Sequence, residues 1–227
     1  MHMTRFWLLD FWQTRLIRIR GGYRSFLLLV KLLGHRKLFH DDAYKTAHKL
    51  NLGCAEHVIP GWINVDIRPI PGATVLSDIR RLCFQSESFD IVRASHVLEH
   101  IPWWEVEQAL KEWTRVLKNG GWLIVGVPDF DAIVMRYLRD RDSLKPLRQD
   151  SVVKLLPLIY GEGCFEPKPY YEHKMGYNRE SLKDVLSSLA GLTNIRLLNF
   201  VVEEPYTLGI TDSSTSIYSL NMAGQKL

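Results

Sequence analysis

Cysteine is scarce in this chain of 227 residues: Cys54, Cys83 and Cys164 are odd in number and far apart. So spaced, they make neither a disulfide framework nor a thiolate metal cluster, and they fit a reducing, cytoplasmic compartment. Long apolar runs are missing as well. The longest stretch in the N-terminal region, Phe26 to Val30, ends at Lys31, whereas a membrane span needs about 20 residues and a signal h-region at least about 7. There is no internal repeat and no low-complexity tract. No Gly-x-Gly-x-x-Gly follows the first strand candidate, which argues against a nucleotide-sugar or NAD enzyme. With 46% hydrophobic and 24% charged residues, the composition is that of a globular protein with room for one sizeable α/β domain and no second enzyme domain.

Charge is distributed unevenly. Residues 1–40 carry eight basic side chains against Asp10 alone, a local charge of +7, so the remaining chain sums to −3. Residues 1–46 therefore form a basic amphipathic N-terminal extension, in which FWLLDFW and FLLLVKLL alternate with arginines and Gly21-Gly22 separates two helical stretches. Such a segment suits docking on the domain or on a second subunit, or peripheral contact with the anionic inner face of the membrane. The slightly acidic remainder would not extend a nucleic-acid surface, so no nucleic-acid partner is expected.

The body, 47–227, alternates short apolar strands with helical stretches, the pattern of a parallel sheet covered by helices. Strand candidates are 49–52, 62–66, 74–76, 89–94 and 122–127, then 195–202 and 217–223. One helix follows Pro102, with Val106, Leu110, Trp113 and Leu117 on one face and Asn119-Gly120-Gly121 as its stop. Another runs over about 178–190, capped by Asn178. Residues 141–177, rich in Pro, Tyr and charge, read as an insertion over the C-terminal edge of the sheet, above the active site.

The chemistry-bearing pattern begins at Lys49-Leu-Asn-Leu-Gly-Cys-Ala-Glu56, a strand running into a Gly turn, and continues with Trp62-Ile-Asn-Val-Asp66, a strand closing on a carboxylate. A nucleoside needs backbone that approaches closely and an acceptor pair for two ribose hydroxyls. Alone, Gly53 and Asp66 read equally as a turn glycine and a strand-end cap. The order continues through Ser77-Asp78-Ile79, Phe89-Asp90-Ile91-Val92 and Val116-Leu-Lys-Asn-Gly-Gly-Trp-Leu-Ile124.

On LNLGCAEHVIPGWINVDI, FDIVRASHVLEHI and RVLKNGGWLIVGVPDFD, the chain resembles class I S-adenosylmethionine-dependent methyltransferases, and more narrowly small bacterial methyltransferases associated with surface-polysaccharide biosynthesis. The resemblance implies an α/β fold with a seven-stranded, mostly parallel, doubly wound Rossmann-like sheet in the order 3-2-1-4-5-7-6, the last strand antiparallel. It implies S-adenosylmethionine as cofactor: Gly53, Cys54 and Ala55 lining its methionine and ribose, Asp66 accepting from the ribose hydroxyls, Asp78 and the Ile79 backbone meeting the adenine edge, and Ser95-His96 facing the sulfonium. Two features depart from the family pattern. Ala55 stands where the family usually has Gly, and only nine residues separate Leu52 from Trp62, so the usual first helix is cut to a loop or single turn bent at Pro60-Gly61.

His96-Val-Leu-Glu-His100 also matches the H-x-x-E-H zinc pattern. Its place at the junction of a buried strand and a loop, and the occurrence of SHVLEHI in the resembling methyltransferases without metal, lead to an expectation of no metal. His96 or His100 then borders the substrate cavity, with Glu99 orienting one ring, or His100 is a structural histidine. Tyr170, Tyr171 and His173 are further acceptor-contacting candidates. The expected function is methyl transfer to a small-molecule or glycan acceptor at a sugar hydroxyl, with His96 or His173 as catalytic base. The alternative is a non-catalytic scaffold whose cofactor site has decayed at Ala55.

Overall fold

The computed structural model describes residues 48–139, 141, 155–161, 170–198 and 218–227. The basic extension lies outside the described residues, as do parts of the 141–177 insertion and of the 195–202 and 217–223 strand candidates.

Seven strands form one sheet: β1 (Lys49–Leu52), β2 (Ile63–Asp66), β3 (Val75–Leu76), β4 (Phe89–Ser95), β5 (Leu117–Pro128), β6 (Thr193–Leu197) and β7 (Ser219–Gln225). Their order is β3-β2-β1-β4-β5-β7-β6. β1 pairs in parallel with β2 and β4, β2 with β3, and β4 with β5, while β7 runs antiparallel to both β5 and β6. This is the implied order, with the last strand antiparallel. The central strands are near-continuous apolar runs because helices and loops cover both faces. Leu50, Leu52, Ile63, Val65, Val92, Ala94, Leu123 and Val125 are all buried in one core.

Helix α1 (Trp103–Val116) starts at Pro102, whose fixed φ of −65° precedes the first turn. It buries Val106, Ala109, Leu110, Trp113 and Val116, a stripe at three- and four-residue spacing. Trp113 is fully buried, and its indole N–H donates to the Ile79 carbonyl at 3.0 Å. Truncating it would cost about 3–5 kcal/mol of packing. The helix ends earlier than Asn119-Gly120-Gly121 suggests. It gives way to extended backbone at Leu117, and the glycines instead lie in an irregularity of β5, where partners step from Phe89↔Leu117 to Ile91↔Trp122. α2 (Phe130–Arg139) and the short α3 (Leu155–Tyr160) follow.

The capping expectation at Asn178 holds. Its side chain accepts from the Ser181 N–H at 3.0 Å, and Ser181 Oγ accepts from the Asn178 N–H, a reciprocal box. α4 (Arg179–Asp184) continues as a π turn, Val185–Leu189, and Leu182, Val185 and Leu186 are buried. β6 begins two residues before its expected start, at Thr193.

No helix connects β1 to β2. The side chain of Asn64 takes over instead: its amide N donates to the carbonyls of Ile59 and Trp62, and its Oδ1 accepts from the Ile59 N–H and from Asn51 Nδ2. Buried Arg93 in β4 donates to Asn51 Oδ1 at 3.2 Å. A loop this short between parallel strands leaves buried backbone groups without helix partners, and one amide satisfies them.

Candidate active site

The C-terminal ends of β1, β2, β3 and β4 converge on one pocket. Gly53, Ala55, Asp66, Asp78, Ile79, His96, His100, Tyr170 and Tyr171 line it, together with Arg68 and Arg80. This is the crevice at which an open α/β sheet receives its ligand. Of the residues expected there, Cys54, Ser95 and His173 are not part of the lining. Cys54 turns into the core, 3% exposed, and burial first, then the nearby Asp66 charge, pushes its thiol up to about 12. Its neighbours on either side take the turn instead. Ser95 Oγ is buried behind the strand end. His173 sits one layer back, against His100.

Gly53 has φ +60°, and a Cβ there would stand 2.5 Å from Val97 Cγ2, so glycine is required by both conformation and space. Ala55 follows with φ +43°, the left-handed region that glycine occupies without cost, which explains why a glycine is usual here. Its N–H donates to Asp66 Oδ2 at 2.9 Å, tying the turn to the end of β2.

Both carboxylates of the pocket carry a partner two residues on. Asp66 Oδ1 accepts from the Arg68 backbone N–H at 2.8 Å and from Nε at 3.0 Å, while Nη2 reaches Oδ2 at 3.3 Å. The Tyr171 hydroxyl accepts from Arg68 Nη1. Burial works against the Arg68 charge, but the bond to Asp66 and its charge win and push the guanidinium further up. Asp78 repeats the arrangement: Oδ1 accepts from the Arg80 N–H at 3.0 Å and Nε at 2.9 Å, and Oδ2 from Nη2 at 2.6 Å. Arg80 Nη1 also donates to Glu105. These arginines were missed in the sequence, although Asp-Ile-Arg occurs twice, at 66–68 and 78–80, each time at a strand end.

The other end of the pocket is built on the 3₁₀ turn Leu98–His100. His96 adopts φ +52°, an unfavourable conformation for a side chain with a Cβ, and its N–H is held by the Gly126 carbonyl at 2.8 Å. His96 Nδ1 lies 3.3 Å from Glu99 Oε1. His96 Nε2 is 2.8 Å from Ser219 Oγ. Glu99 is fully buried. Burial pushes its carboxyl up, but His96 foremost, then His100 and His173, more than reverse this and hold it below the ordinary range. Burial also lowers His173, so that ring is neutral near pH 7.

The segment 170–177 reaches this turn through its backbone. The N–H groups of Lys174 and Met175 donate to the Glu99 carbonyl at 2.7 and 3.1 Å, and the His173 N–H donates to the Tyr160 carbonyl at 3.0 Å. Gly161 permits this docking, since a Cβ there would lie 1.8 Å from the Tyr171 carbonyl oxygen.

Residues 61–125 match the description Methyltransferase domain. The chain is also similar, at 40% identity over 62 residues, to an uncharacterized 37.1 kDa protein in a transposon of Streptomyces fradiae; the match covers 27% of this chain and 17% of that protein. Among solved structures, a SAM-dependent methyltransferase of Thermotoga maritima, described as a possible histamine N-methyltransferase, superposes with a TM-score of 0.51 at 20% identity, covering 90% of this chain and 89% of that one. A SAM-dependent methyltransferase from Archaeoglobus fulgidus gives 0.48 at 14% identity, covering 98% and 100%.

The likeness to the Thermotoga maritima structure, together with the strand order, defines the fold as the Rossmann-like methyltransferase fold, and residues 61–125 of that fold carry the match to a methyltransferase domain. The matched domain implies S-adenosylmethionine as cofactor, and the site fits it. The Gly53 turn lines the pocket with backbone, Asp66 offers two carboxylate oxygens, and Asp78 with Ile79 stands beyond the next strand end. Fitting requires the Arg68 side chain to leave Asp66, whose acceptor positions it shares with the Ala55 and Arg68 backbone N–H groups.

Proposed function

We propose that the enzyme methylates a hydroxyl of a sugar or glycan intermediate, in the setting of surface-polysaccharide biosynthesis. The observation that carries this reading is that His96, His100, Tyr170 and Tyr171 line the same pocket as the two carboxylates. Aromatic rings can stack on the apolar face of a pyranose, and an imidazole can take a hydroxyl proton.

When bound, S-adenosylmethionine supplies an electrophilic methyl group on a sulfonium that leaves as a neutral thioether. The protein's part is alignment, exclusion of water and a proton acceptor. We assign the base to His96 rather than His173, which is outside the lining. Nδ1 of His96 faces the Glu99 carboxylate, and Nε2 faces the Ser219 hydroxyl. That arrangement favours the tautomer with the proton on Nδ1 and a lone pair on Nε2. An acceptor hydroxyl competing with Ser219 for Nε2 would give up its proton there as its oxygen attacks the methyl carbon, and Glu99 would stabilise the imidazolium formed. Asp66, Asp78 and Ile79 are the cofactor-holding groups in this reading.

Labelled S-adenosylmethionine offered with a panel of nucleotide sugars and oligosaccharides tests the acceptor, and label on an amine or carbon instead would refute it. His96→Ala should lower turnover and flatten its acid limb. An unchanged pH profile in that variant would remove His96 as base.

For residues 1–40, which lie outside the described residues, the charge and aromatic content support docking on the domain or a second subunit, with the enzyme otherwise cytoplasmic. Among the described residues no helix is long and apolar enough to cross a membrane. Truncation should lower the melting temperature or dissociate an oligomer. Loss of only salt-sensitive binding to anionic vesicles would make the segment a peripheral anchor instead.

A further inference from the structure

Behind the His96 wall, three side chains able to ligate a metal meet. One donor atom each from Glu99, His100 and His173 lies within 4.8 Å of the other two. We propose that Glu99, His100 and His173 form a binding site for one divalent transition cation of the zinc class, adjoining the methyl-acceptor end of the pocket.

The direction of the hydrogen bonds carries the argument. His100 Nδ1 is 3.0 Å from the Glu172 carbonyl oxygen, and His173 Nδ1 is 3.1 Å from the Leu158 carbonyl oxygen. A carbonyl can only accept, so in each ring Nδ1 carries an N–H, which leaves Nε2 as the nitrogen through which the ring would bind a cation. A backbone carbonyl on the far nitrogen is also the usual orienting partner of a metal-bound histidine. Glu99 is fully buried and neither of its oxygens has an aligned hydrogen bond. Its Oε1 has His96 Nδ1 at 3.3 Å on one side and His100 Nε2 at 4.0 Å on the other. A fully buried carboxylate without an aligned hydrogen bond, beside imidazole nitrogens oriented by backbone carbonyls, is a ligand set that a cation would complete.

The three ligands are placed by backbone rather than by chance contact. The Glu99 carbonyl holds Lys174 and Met175, the neighbours of His173, and Tyr160 holds His173 itself. The His100 and His173 rings already meet edge to face, with centroids 4.8 Å apart. Two imidazoles and one carboxylate suit zinc, with a fourth position open, and suit magnesium poorly, which prefers oxygen. Bonds of roughly 2.0–2.2 Å in a tetrahedron put ligand atoms about 3.3 Å apart, so binding would draw the three inward by side-chain rotation.

This site differs from the H-x-x-E-H reading of the sequence. There, His96 and His100 would share a helix face and Glu99 would be the base. Here His96 sits at a strand end, paired with Ser219, Glu99 is a ligand, and the third ligand comes from the 170–177 segment, which no spacing rule within the motif could reveal. The existence of the site is independent of which acceptor is methylated.

The test uses the full chain, stripped with chelator, dialysed against zinc(II) or magnesium(II), and assayed for bound metal. About one zinc per chain and no retained magnesium are expected, with affinity at least tenfold lower in His173→Gln and in His100→Gln. Cobalt(II) loaded into the wild-type chain should give the visible bands of a four-coordinate nitrogen and oxygen site. The cobalt spectrum needs no variant, so a variant that fails to fold does not blunt the test. Absence of bound zinc, unchanged zinc in both folded variants, or sulfur-to-cobalt charge transfer, which would place the metal on a cysteine, each overturns the proposal.

Discussion

Replacing Arg68 with alanine should tighten cofactor binding, because in this structure the guanidinium occupies the acceptor positions a ribose would need. Asp66 has two oxygens and four bonds: the backbone N–H groups of Ala55 and Arg68 take one position on each, and Nε and Nη2 of Arg68 take the others. The alanine variant keeps both backbone bonds and frees the rest. Two charge-assisted bonds of about 1.5–3 kcal/mol each set the upper bound. In the wild type the guanidinium displaced by cofactor regains water and stays near Tyr171, its charge centre 4.8 Å from that ring before displacement, so removing it is expected to gain a net of about 1–2 kcal/mol, or five- to thirtyfold in affinity. Without ligand the same variant should melt lower, since Asp66 is 3% exposed and loses its counter-charge. Calorimetric titration with S-adenosylmethionine, alongside melting curves with and without it, reads both effects. Weaker binding in Arg68→Ala would refute the reasoning and make the guanidinium itself a cofactor contact.

Two further expectations follow from the same turn. Ala55→Gly should raise the melting temperature slightly and strengthen cofactor binding, because relief of about 1–2 kcal/mol at φ +43° exceeds glycine's entropic cost of roughly 0.5–1 kcal/mol; lower affinity would mean the turn has rearranged around the methyl. Cys54, buried and with its thiol pushed up to about 12, should stay unalkylated by iodoacetamide at pH 8 in the native protein, as mass spectrometry of its peptide would show; rapid labelling would place it on the pocket surface after all.

The sheet was legible because its central strands are short, fully apolar runs bounded by turn residues, and because Leu52, Asp66 and Leu76 end their strands where the motifs say they should. The nine-residue crossover could be read as lacking a helix, but the agent that replaces it, the Asn64 amide, carries no periodic signal. The pocket's carboxylates and Gly53 were legible for the same reason as the strands. Cys54 was misplaced by its neighbourhood, since alternation along the turn sends it inward between Gly53 and Ala55. The tripeptide Asp-Ile-Arg recurs at 66–68 and 78–80, yet the folding of each arginine back onto its carboxylate depends on backbone direction after each strand. His173 meets Glu99 across 74 residues of chain, through bonds made by backbone groups, and side-chain identity does not encode that meeting.

The central claim, a functional S-adenosylmethionine site organised by Asp66, is tested most directly by calorimetry of the full chain and of Asp66→Ala with that cofactor. One binding event in the wild type, and at least about tenfold weaker binding in a folded Asp66→Ala variant, is the outcome the two ribose bonds of about 1.5–3 kcal/mol each require. No heat and no thermal shift at millimolar cofactor, or equal affinity in the two proteins, would contradict it.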